Sequence, residues 1–299
     1  MTEPARPIFV RRKLGAKLRR LRERAELTLA DAAPRLDRTK SALHRVETGE
    51  TKADVHLVRT MMDIYDCFDP NLLDEARHAL KPPWYRAYGV KDKGYVDVET
   101  EAEEVNQVQL VGIPGLLQTK AYTRALFHVG RSRSPEELDC DVKVRGIRQL
   151  RLTSEERPLQ LVAVVHEAAL RRVVGGRRVM REQMRHLVKA AALPTVTLQV
   201  IPLDEGSYMV PYGPFNLLRF PDPEDPELLY IEHPGGAHHI EEAPKVREGR
   251  LVFDQLRIHA LSPTDSVALI ERLATELYGP RQVRHARGPL RTDLAEEHL

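Results

Sequence analysis

The chain has few of the features that would place it in a class at first sight. Only two of its 299 residues are cysteines, Cys67 and Cys140, and neither has a CxxC partner. This excludes a zinc finger and a disulfide-stabilised scaffold, and it fits a reducing compartment. No segment approaches the roughly 18 to 20 apolar residues of a membrane span, and the N-terminus lacks the apolar core of a signal peptide. We therefore expect a soluble, cytoplasmic protein without a membrane partner.

A large net charge is also absent. The 46 Lys and Arg residues nearly balance the 44 Asp and Glu residues, and the net charge of +2 excludes a protein that is basic throughout, such as a histone. The charge is unevenly placed, because residues 1–24 hold nine Lys or Arg residues and two acids. Such a local excess is typical of a surface that contacts DNA phosphates, and a solvated helix face is the alternative.

Residues 8–80 have the pattern of five short helices. Leucines recur every three or four residues over 10–25, which indicates an amphipathic first helix. The next three helices begin after residues that commonly cap a helix N-terminus, and the third ends at a glycine suited to a left-handed C-cap. The predicted N-caps are Thr28, Thr39 and Asp54, the C-terminal glycine is Gly49, and the fifth helix is predicted over 70–80. The sequence therefore predicts an all-α domain.

The second and third of these helices, joined by a tight turn, have the pattern of a helix-turn-helix motif. The third, residues 39–47, places Leu43 and Val46 on one face for burial and leaves small and basic residues on the other. A short exposed helix of this kind suits the major groove of DNA. The predicted DNA-binding residues are Thr39, Lys40, Ser41, Ala42, His44 and Arg45. We also predict that arginines of the first helix and of the segment before it contact phosphates.

A connector is predicted at residues 81–95, because Lys81-Pro82-Pro83 ends the fifth helix. Four aromatic residues crowd this segment: Trp84, Tyr85, Tyr88 and Tyr95. We expect them to pack against the second domain, and an aromatic ligand pocket at the domain junction is the alternative.

Residues 96–279 have a mixed pattern. We expect helix over 96–128, broken at 112–115, followed by about four or more strands and further helices. The strands are predicted at 159–165, 196–202, 215–220 and 228–231, and the helices at 145–152, 167–173, 179–192, 254–261 and 263–278. The fold class is therefore multidomain, with an N-terminal all-α five-helix helix-turn-helix domain followed by a mixed α/β C-terminal domain. Residues 280–299 have almost no apolar residues and are predicted to be a disordered tail.

Several segments together resemble one known family, the phage-repressor-type (XRE) helix-turn-helix regulators of the actinomycete WhiJ-like group. The resemblance covers about residues 10–279. In the second domain it depends on ordered segments, beginning with VGIPGLLQT at 111–119 and continuing at 122–125, 145–150, 167–172, 174–176, 199–202, 213–215, 230–232 and 260–263. The resemblance implies that the C-terminal domain is a sensor or a partner-binding module, and that a small partner protein is encoded nearby.

The resemblance also implies a buried ion pair between Arg22 and Glu47 that ties the first helix to the third. Three residues depart from the usual motif. Asp37 replaces the turn glycine, Pro34 falls inside the second helix, and Leu29 stands where many repressors have a polar phosphate contact. The alternative to DNA binding is therefore a degenerate motif that serves as a protein-interaction module.

A histidine-rich segment also suggests metal chemistry. It holds Glu232, His233, His238, His239, Glu241 and Glu242. Adjacent histidines are not a dependable ligand spacing and Pro234-Gly235-Gly236 indicates a loop, so we favour a solvated loop over a metal site.

Two other patterns suggest a catalytic pair or an anion site. His166-Glu167 would suit acid–base catalysis, but no Ser or Cys nucleophile occurs in a motif such as GxSxG. Gly175-Gly176 before a helix would suit an anion, and a tight turn between helices is the favoured alternative. We expect no enzymatic activity, no metal and no cofactor.

These patterns together predict a sequence-specific transcription regulator. It would bind double-stranded DNA as a homodimer, localise to the cytoplasm and associate with the nucleoid when bound, with control by a small-molecule effector or a small partner protein acting through the C-terminal domain. One alternative is an antitoxin-like module that neutralises a small partner and autoregulates through DNA binding. Another is an enzyme that is regulated through a DNA-binding head.

Overall fold

The computed structural model describes residues 9–89, 94–130, 134–205 and 213–279, without the side chains of residues 129 and 130. The tail predicted at 280–299 lies outside these residues. Within the described part of the chain, no helix is both long enough and apolar enough to cross a membrane.

The N-terminal region consists of five helices, as predicted. They are α1 (Phe9–Arg24), α2 (Leu29–Arg35), α3 (Lys40–Glu47), α4 (Val55–Ile64) and α5 (Pro70–Leu80). The three predicted N-caps are confirmed, because the side chains of Thr28, Thr39 and Asp54 each accept a hydrogen bond from a backbone N–H of the first turn. Leu18, Leu43 and Met61, each at most 1% exposed, lie in the core that the helices share.

The aromatic connector forms a 3-10 helix, Trp84–Tyr88, that packs against the C-terminal domain as expected. Tyr85 is buried with Val96 and Val144, and the indole N–H of Trp84 donates to Thr100 Oγ1 at 3.0 Å. This packing fixes where the chain enters the second domain.

The C-terminal domain contains a six-stranded mixed sheet of order β3-β2-β1-β4-β5-β6. Its strands are β1 (Glu104–Gln109), β2 (Gln160–His166), β3 (Val196–Ile201), β4 (Phe215–Arg219), β5 (Leu228–His233) and β6 (Gly236–Ile240). β1, β2 and β3 are parallel, whereas β4, β5 and β6 continue the sheet in antiparallel pairs. The predicted fold class, an all-α helix-turn-helix domain followed by a mixed α/β domain, is confirmed.

Of the helical segment predicted over 96–128, the break at 112–115 is confirmed, but the prediction is wrong at residues 104–109, which form a strand. The chain forms α6 (Gly94–Glu101), the central strand β1, a 3-10 helix (Gly115–Leu117) and α7 (Lys120–Gly130). β1 was missed because Asn106 and Gln107 are polar although both are buried, so the strand has no apolar run. β6 was also missed, since glycine and histidines near a predicted loop do not form a strand pattern.

Helices cover both faces of the sheet. α10 (Arg177–Ala191) and α12 (Pro263–Tyr278) lie on one face, and α11 (Ala243–His259) lies on the other. The remaining helices are α8 (Pro135–Gln149) and α9 (Glu167–Arg171). α8 and α11 begin about ten residues before their predicted starts. For α8 the reason is a capping box at Ser134 and Glu137, which was overlooked.

Candidate nucleic-acid interface

The turn between α2 and α3 accommodates the residues that depart from the usual motif. Asp37 adopts the left-handed conformation with φ of +52°, which Asp tolerates better than most non-glycine residues. Pro34 lies inside α2, but only one residue before its end. The backbone N–H of Leu36 bonds to the carbonyls of Ala32 and Ala33, so the last turn remains closed. Leu29 is half-buried against the core of the domain.

The structure places all six predicted DNA-binding residues at one surface on and before α3. Leu43 and Val46 are 1% and 6% exposed and face inward. Thr39 caps the helix by accepting the N–H of Ala42 at 3.1 Å. The outward residues are Thr39, Lys40, Ser41, His44 and Arg45, whereas Ala42 is half-buried. Their contact with DNA stays a prediction.

A buried ion pair supports α3 from behind, as the sequence predicted. Arg22 Nε and Nη2 donate to the two carboxylate oxygens of Glu47 at 2.7 and 2.9 Å, and Nη1 donates to the Leu27 carbonyl at 2.7 Å. The hydrogen bond to Glu47 raises the pKa of the Arg22 guanidinium. At Gly15 a Cβ would lie 2.5 Å from the Glu47 carbonyl oxygen, so α1 and α3 are in close backbone contact.

Phosphate contact by arginines of α1 and of the segment before it stays a prediction. That segment lies outside the described residues, and the basic residues of α1 have partners within the chain. Four cations, here named the cationic row, recur along one stripe of α1: Lys13, Lys17, Arg20 and Arg24. All four pair with acids of the β4–β5 connection, residues 220–227, here named the acidic loop. The distances are 2.6 Å for Lys13–Asp225, 2.5 Å for Lys17–Asp222, 3.8 Å for Arg20–Asp225 and 2.8 Å for Arg24–Glu224.

The cationic row lies on the face of α1 opposite to α3. At 100° per residue, the members of the row are roughly 140° to 180° from Gly15 and Arg22, two residues of α1 that contact α3. Phe9, at the start of α1, stacks on Phe220 of the acidic loop with ring centroids 4.7 Å apart. The C-terminal domain therefore contacts the back of α1. Among the described residues, no ion pair or hydrogen bond joins the outward side chains of α3 to that domain.

Other cations near α3 are exposed. Arg35 and Arg38 flank the end of α2, and Lys52 follows α3; within the described chain these three form no ion pair. The acidic loop was missed in the sequence, although its alternation of proline and acid over 221–227 marked it as a rigid, charged segment.

The histidine-rich segment comprises the end of β5, a turn at 234–235 and the edge strand β6, so only part of it is the loop that we expected, although most of it is exposed. His238 and His239 lie on β6, where the ring of His238 stacks on that of His233 at 4.7 Å and His239 meets Tyr230 edge to face at 5.1 Å. Among the described residues, no three His, Cys, Asp or Glu side chains are grouped to hold a metal ion.

Gly175 and Gly176 form a turn between α9 and α10, with φ of +68° and +90°. The tight turn favoured from the sequence is thus confirmed.

Comparison with known families assigns both regions. Residues 13–76 match the model of a helix-turn-helix domain, so the N-terminal domain belongs to a class of DNA-binding domains and indicates a DNA-binding regulator. Residues 93–272 match the family described as "Domain of unknown function (DUF5753)". That match covers more than half of the chain, and the protein belongs to this family. Comparison with curated proteins and with solved structures gave no match.

Proposed function

We propose that the protein is a sequence-specific transcription regulator of the WhiJ-like, XRE-type group, which binds double-stranded DNA as a homodimer. The observation that carries the proposal is the outward face of α3, where Lys40 and Arg45 are exposed and have no ion pair within the described chain. The Arg22–Glu47 pair holds this helix rigidly against α1. A pre-organised helix with free polar groups is what major-groove recognition requires.

Base and phosphate contacts are divided between two sets of residues in this proposal. Lys40 donates to guanine O6 and N7, and Ser41 accepts or donates to any base. Arg38 and Lys52, on either side of α3, replace the cationic row as phosphate contacts. A homodimer would place its two recognition helices about 34 Å apart, one turn of DNA.

The C-terminal domain controls DNA binding in this proposal, through a small-molecule effector or a small partner protein. We propose that residues 8–80 and 96–279 are the two domains, with residues 81–95 as connector, and that the protein acts in the cytoplasm and on the nucleoid.

We also propose that the protein catalyses no reaction. Glu167 is 5% exposed, pairs with Arg171 at 2.5 Å and accepts the N–H of Leu203 at 3.1 Å. His166 Nδ1 accepts the N–H of Ala168, and burial lowers the pKa of its imidazole. Both side chains have structural partners, which supports a structural role for the pair.

Genome-wide mapping of bound DNA would identify the operator sequence. Fluorescence anisotropy would then measure the affinity of α3 variants for that operator. The double variant Lys40→Ala with Arg45→Ala should lose at least roughly thirtyfold in operator affinity, because each good base contact contributes about 1–3 kcal/mol. The matched control is Lys245→Ala with Arg247→Ala, which removes two exposed cations of α11. Unchanged affinity of the α3 variant would overturn the proposal.

A further inference from the structure

A second concentration of positive charge lies in the C-terminal domain. Residues 171–189 contain seven Lys or Arg residues and one acid, Glu182, in a chain whose charges nearly balance. Six of these cations are exposed, of which Arg171 pairs with Glu167 at 2.5 Å. The other five are Arg172, Arg177, Arg178, Arg185 and Lys189. Arg178 approaches Glu182 only to 3.9 Å, and the other four form no ion pair with any described residue. Most of this charge is therefore not compensated within the described chain.

The charge also opposes the local helix. Arg177 and Arg178 occupy the first turn of α10, which contains no acid, and Gly176 provides no capping side chain. Cations at a helix N-terminus are disfavoured by the helix dipole. α10 is held in place by Met180, Met184 and Leu187 on its buried side. Its outward side is suited to a negatively charged partner.

Two exposed apolar side chains adjoin these cations. Val173, just before the α9–α10 turn, is 56% exposed, and Leu126 on α7 is 37% exposed. At Gly175 a Cβ would lie 2.7 Å from Ala125 Cβ, so the turn that follows Val173 lies directly against the helix that carries Leu126. Apolar groups with a charged rim are typical of protein interfaces and have no role in contacts to phosphates.

The surface lies far from the proposed DNA contact. α10 and α12 pack over β3, at one edge of the sheet. α1 contacts the acidic loop and Glu241, which follows β6, at the other edge. DNA bound by α3 would thus lie near the opposite edge, and this separation favours a protein over DNA as the occupant of the α10 surface.

We propose that the surface formed by Leu126, Val173, Arg178, Arg185 and Lys189 docks a partner protein through an acidic segment that also carries apolar side chains. The proposal rests on the proposed control through the C-terminal domain, for which it names the surface and the chemistry of the partner. Acidic groups pair with the arginines, and the apolar groups cover Val173 and Leu126.

The test uses the full-length protein and a labelled synthetic peptide of glutamate and leucine. Wild type should bind this peptide, and Arg178→Glu with Arg185→Glu should weaken binding at least about tenfold. Val173→Ser should weaken it by a smaller factor. The matched control, Lys245→Glu with Arg247→Glu on the opposite face of the sheet, should bind as wild type does.

Three further probes decide between occupants. A peptide with serine in place of leucine should bind more weakly, as should a DNA duplex without operator. The proposal is overturned if wild type fails to bind the Glu/Leu peptide, or if Arg178→Glu with Arg185→Glu binds it equally well. It is also overturned if that variant loses affinity for duplex DNA instead of for the peptide. Deletion of residues 280–299 should leave peptide affinity unchanged; a large rise would identify that segment as the occupant and overturn the proposal.

Operator affinity, measured on the same variants, separates this proposal from the proposed function. If wild type failed to bind operator DNA, the proposed regulation through DNA would be refuted, whereas the peptide result would stand.

Discussion

Phe9 of α1 stacks on Phe220 of the acidic loop, so the first helix of the DNA-binding domain begins inside the core of the C-terminal domain. The same helix contributes Leu14 and Leu18 to the core of the helix-turn-helix domain. α1 is thus shared by two hydrophobic cores. Beyond Phe9 it is attached to the C-terminal domain largely by charge, through the cationic row and the acidic loop.

Phe9→Ala should destabilise the protein by about 3–5 kcal/mol, the usual cost of removing a buried phenyl ring. Phe9 is 6% exposed, whereas Phe68 is 82% exposed, so Phe68→Ala provides a control that should change stability by less than about 0.5 kcal/mol. Denaturant unfolding measures both. Equal effects of the two substitutions on stability would show that the ring of Phe9 is not buried against Phe220.

Neutralising the acidic loop should loosen the two domains without unfolding either. In the variant Asp222→Asn, Glu224→Gln and Asp225→Asn, the cationic row loses its partners in the acidic loop. Phe9 remains in place, and Lys17 keeps its ion pair with Glu75 inside the N-terminal domain. Cys67 lies in the N-terminal domain and Cys140 in α8, and both are free, so spin labels on these native cysteines report the distance between domains. Double electron–electron resonance should show a broader distribution of the Cys67–Cys140 label distance in the variant than in wild type.

The control for that variant has the same change in charge at exposed acids elsewhere, Glu155→Gln, Glu156→Gln and Glu276→Gln. It should retain the wild-type distribution. A neutralised loop with an unchanged distribution would mean that the ion pairs do not hold the domains together.

The same contact should depend on pH in the acid range. The hydrogen bond from Lys17 holds the pKa of Asp222 below its ordinary value of 3.8. A carboxylate whose pKa is lowered on folding contributes stability above its unfolded pKa and loses it as the pH falls through its folded pKa. The Cys67–Cys140 distribution should therefore stay constant from neutral pH to about pH 5 and broaden below the ordinary Asp pKa.

The loop-neutralised variant should show no such acid step, and circular dichroism would check that both proteins remain folded. A step of equal size in the variant would assign the pH dependence to other groups.

Glu47→Gln should cost about 3–5 kcal/mol, because it leaves the buried Arg22 guanidinium without its counter-charge. Arg22 and Glu47 are each 5% exposed, so water cannot replace the lost partner. The exposed pair Arg77–Asp74 provides the control, since Asp74→Asn should cost at most about 1 kcal/mol. Chemical denaturation compares the two, and a loss at Glu47 no larger than at Asp74 would contradict a buried pair.

Features with a local cause were predictable from the sequence. Thr28, Thr39 and Asp54 cap their helices through bonds to residues three positions away, so the signal lies within one helical turn. The outward face of α3 was predictable from the helical spacing of Leu43 and Val46, which places these two residues on the opposite, buried face. These local signals were sufficient for the helix-turn-helix domain and its candidate interface.

Features that depend on distant parts of the chain were not predictable. β1 is buried on both sides by elements far along the sequence, and only that environment explains Asn106 and Gln107 inside a strand. The cationic row resembled a phosphate-binding surface because its partners lie about 200 residues later. Local charge reveals that a partner is needed, but not whether the partner is DNA or the chain itself.

The position of α1 in both cores has a thermodynamic consequence. Melting of the C-terminal core would release Phe9 and allow the start of α1 to unwind. Unwinding of α1 would remove the helix surface against which α3 packs. Heat should therefore unfold both domains in a single cooperative transition, with calorimetric and van't Hoff enthalpies in agreement. A fragment that ends near residue 80 would expose one aromatic ring and leave Lys13, Arg20 and Arg24 without their acidic partners, so its affinity for DNA would overstate that of the intact chain.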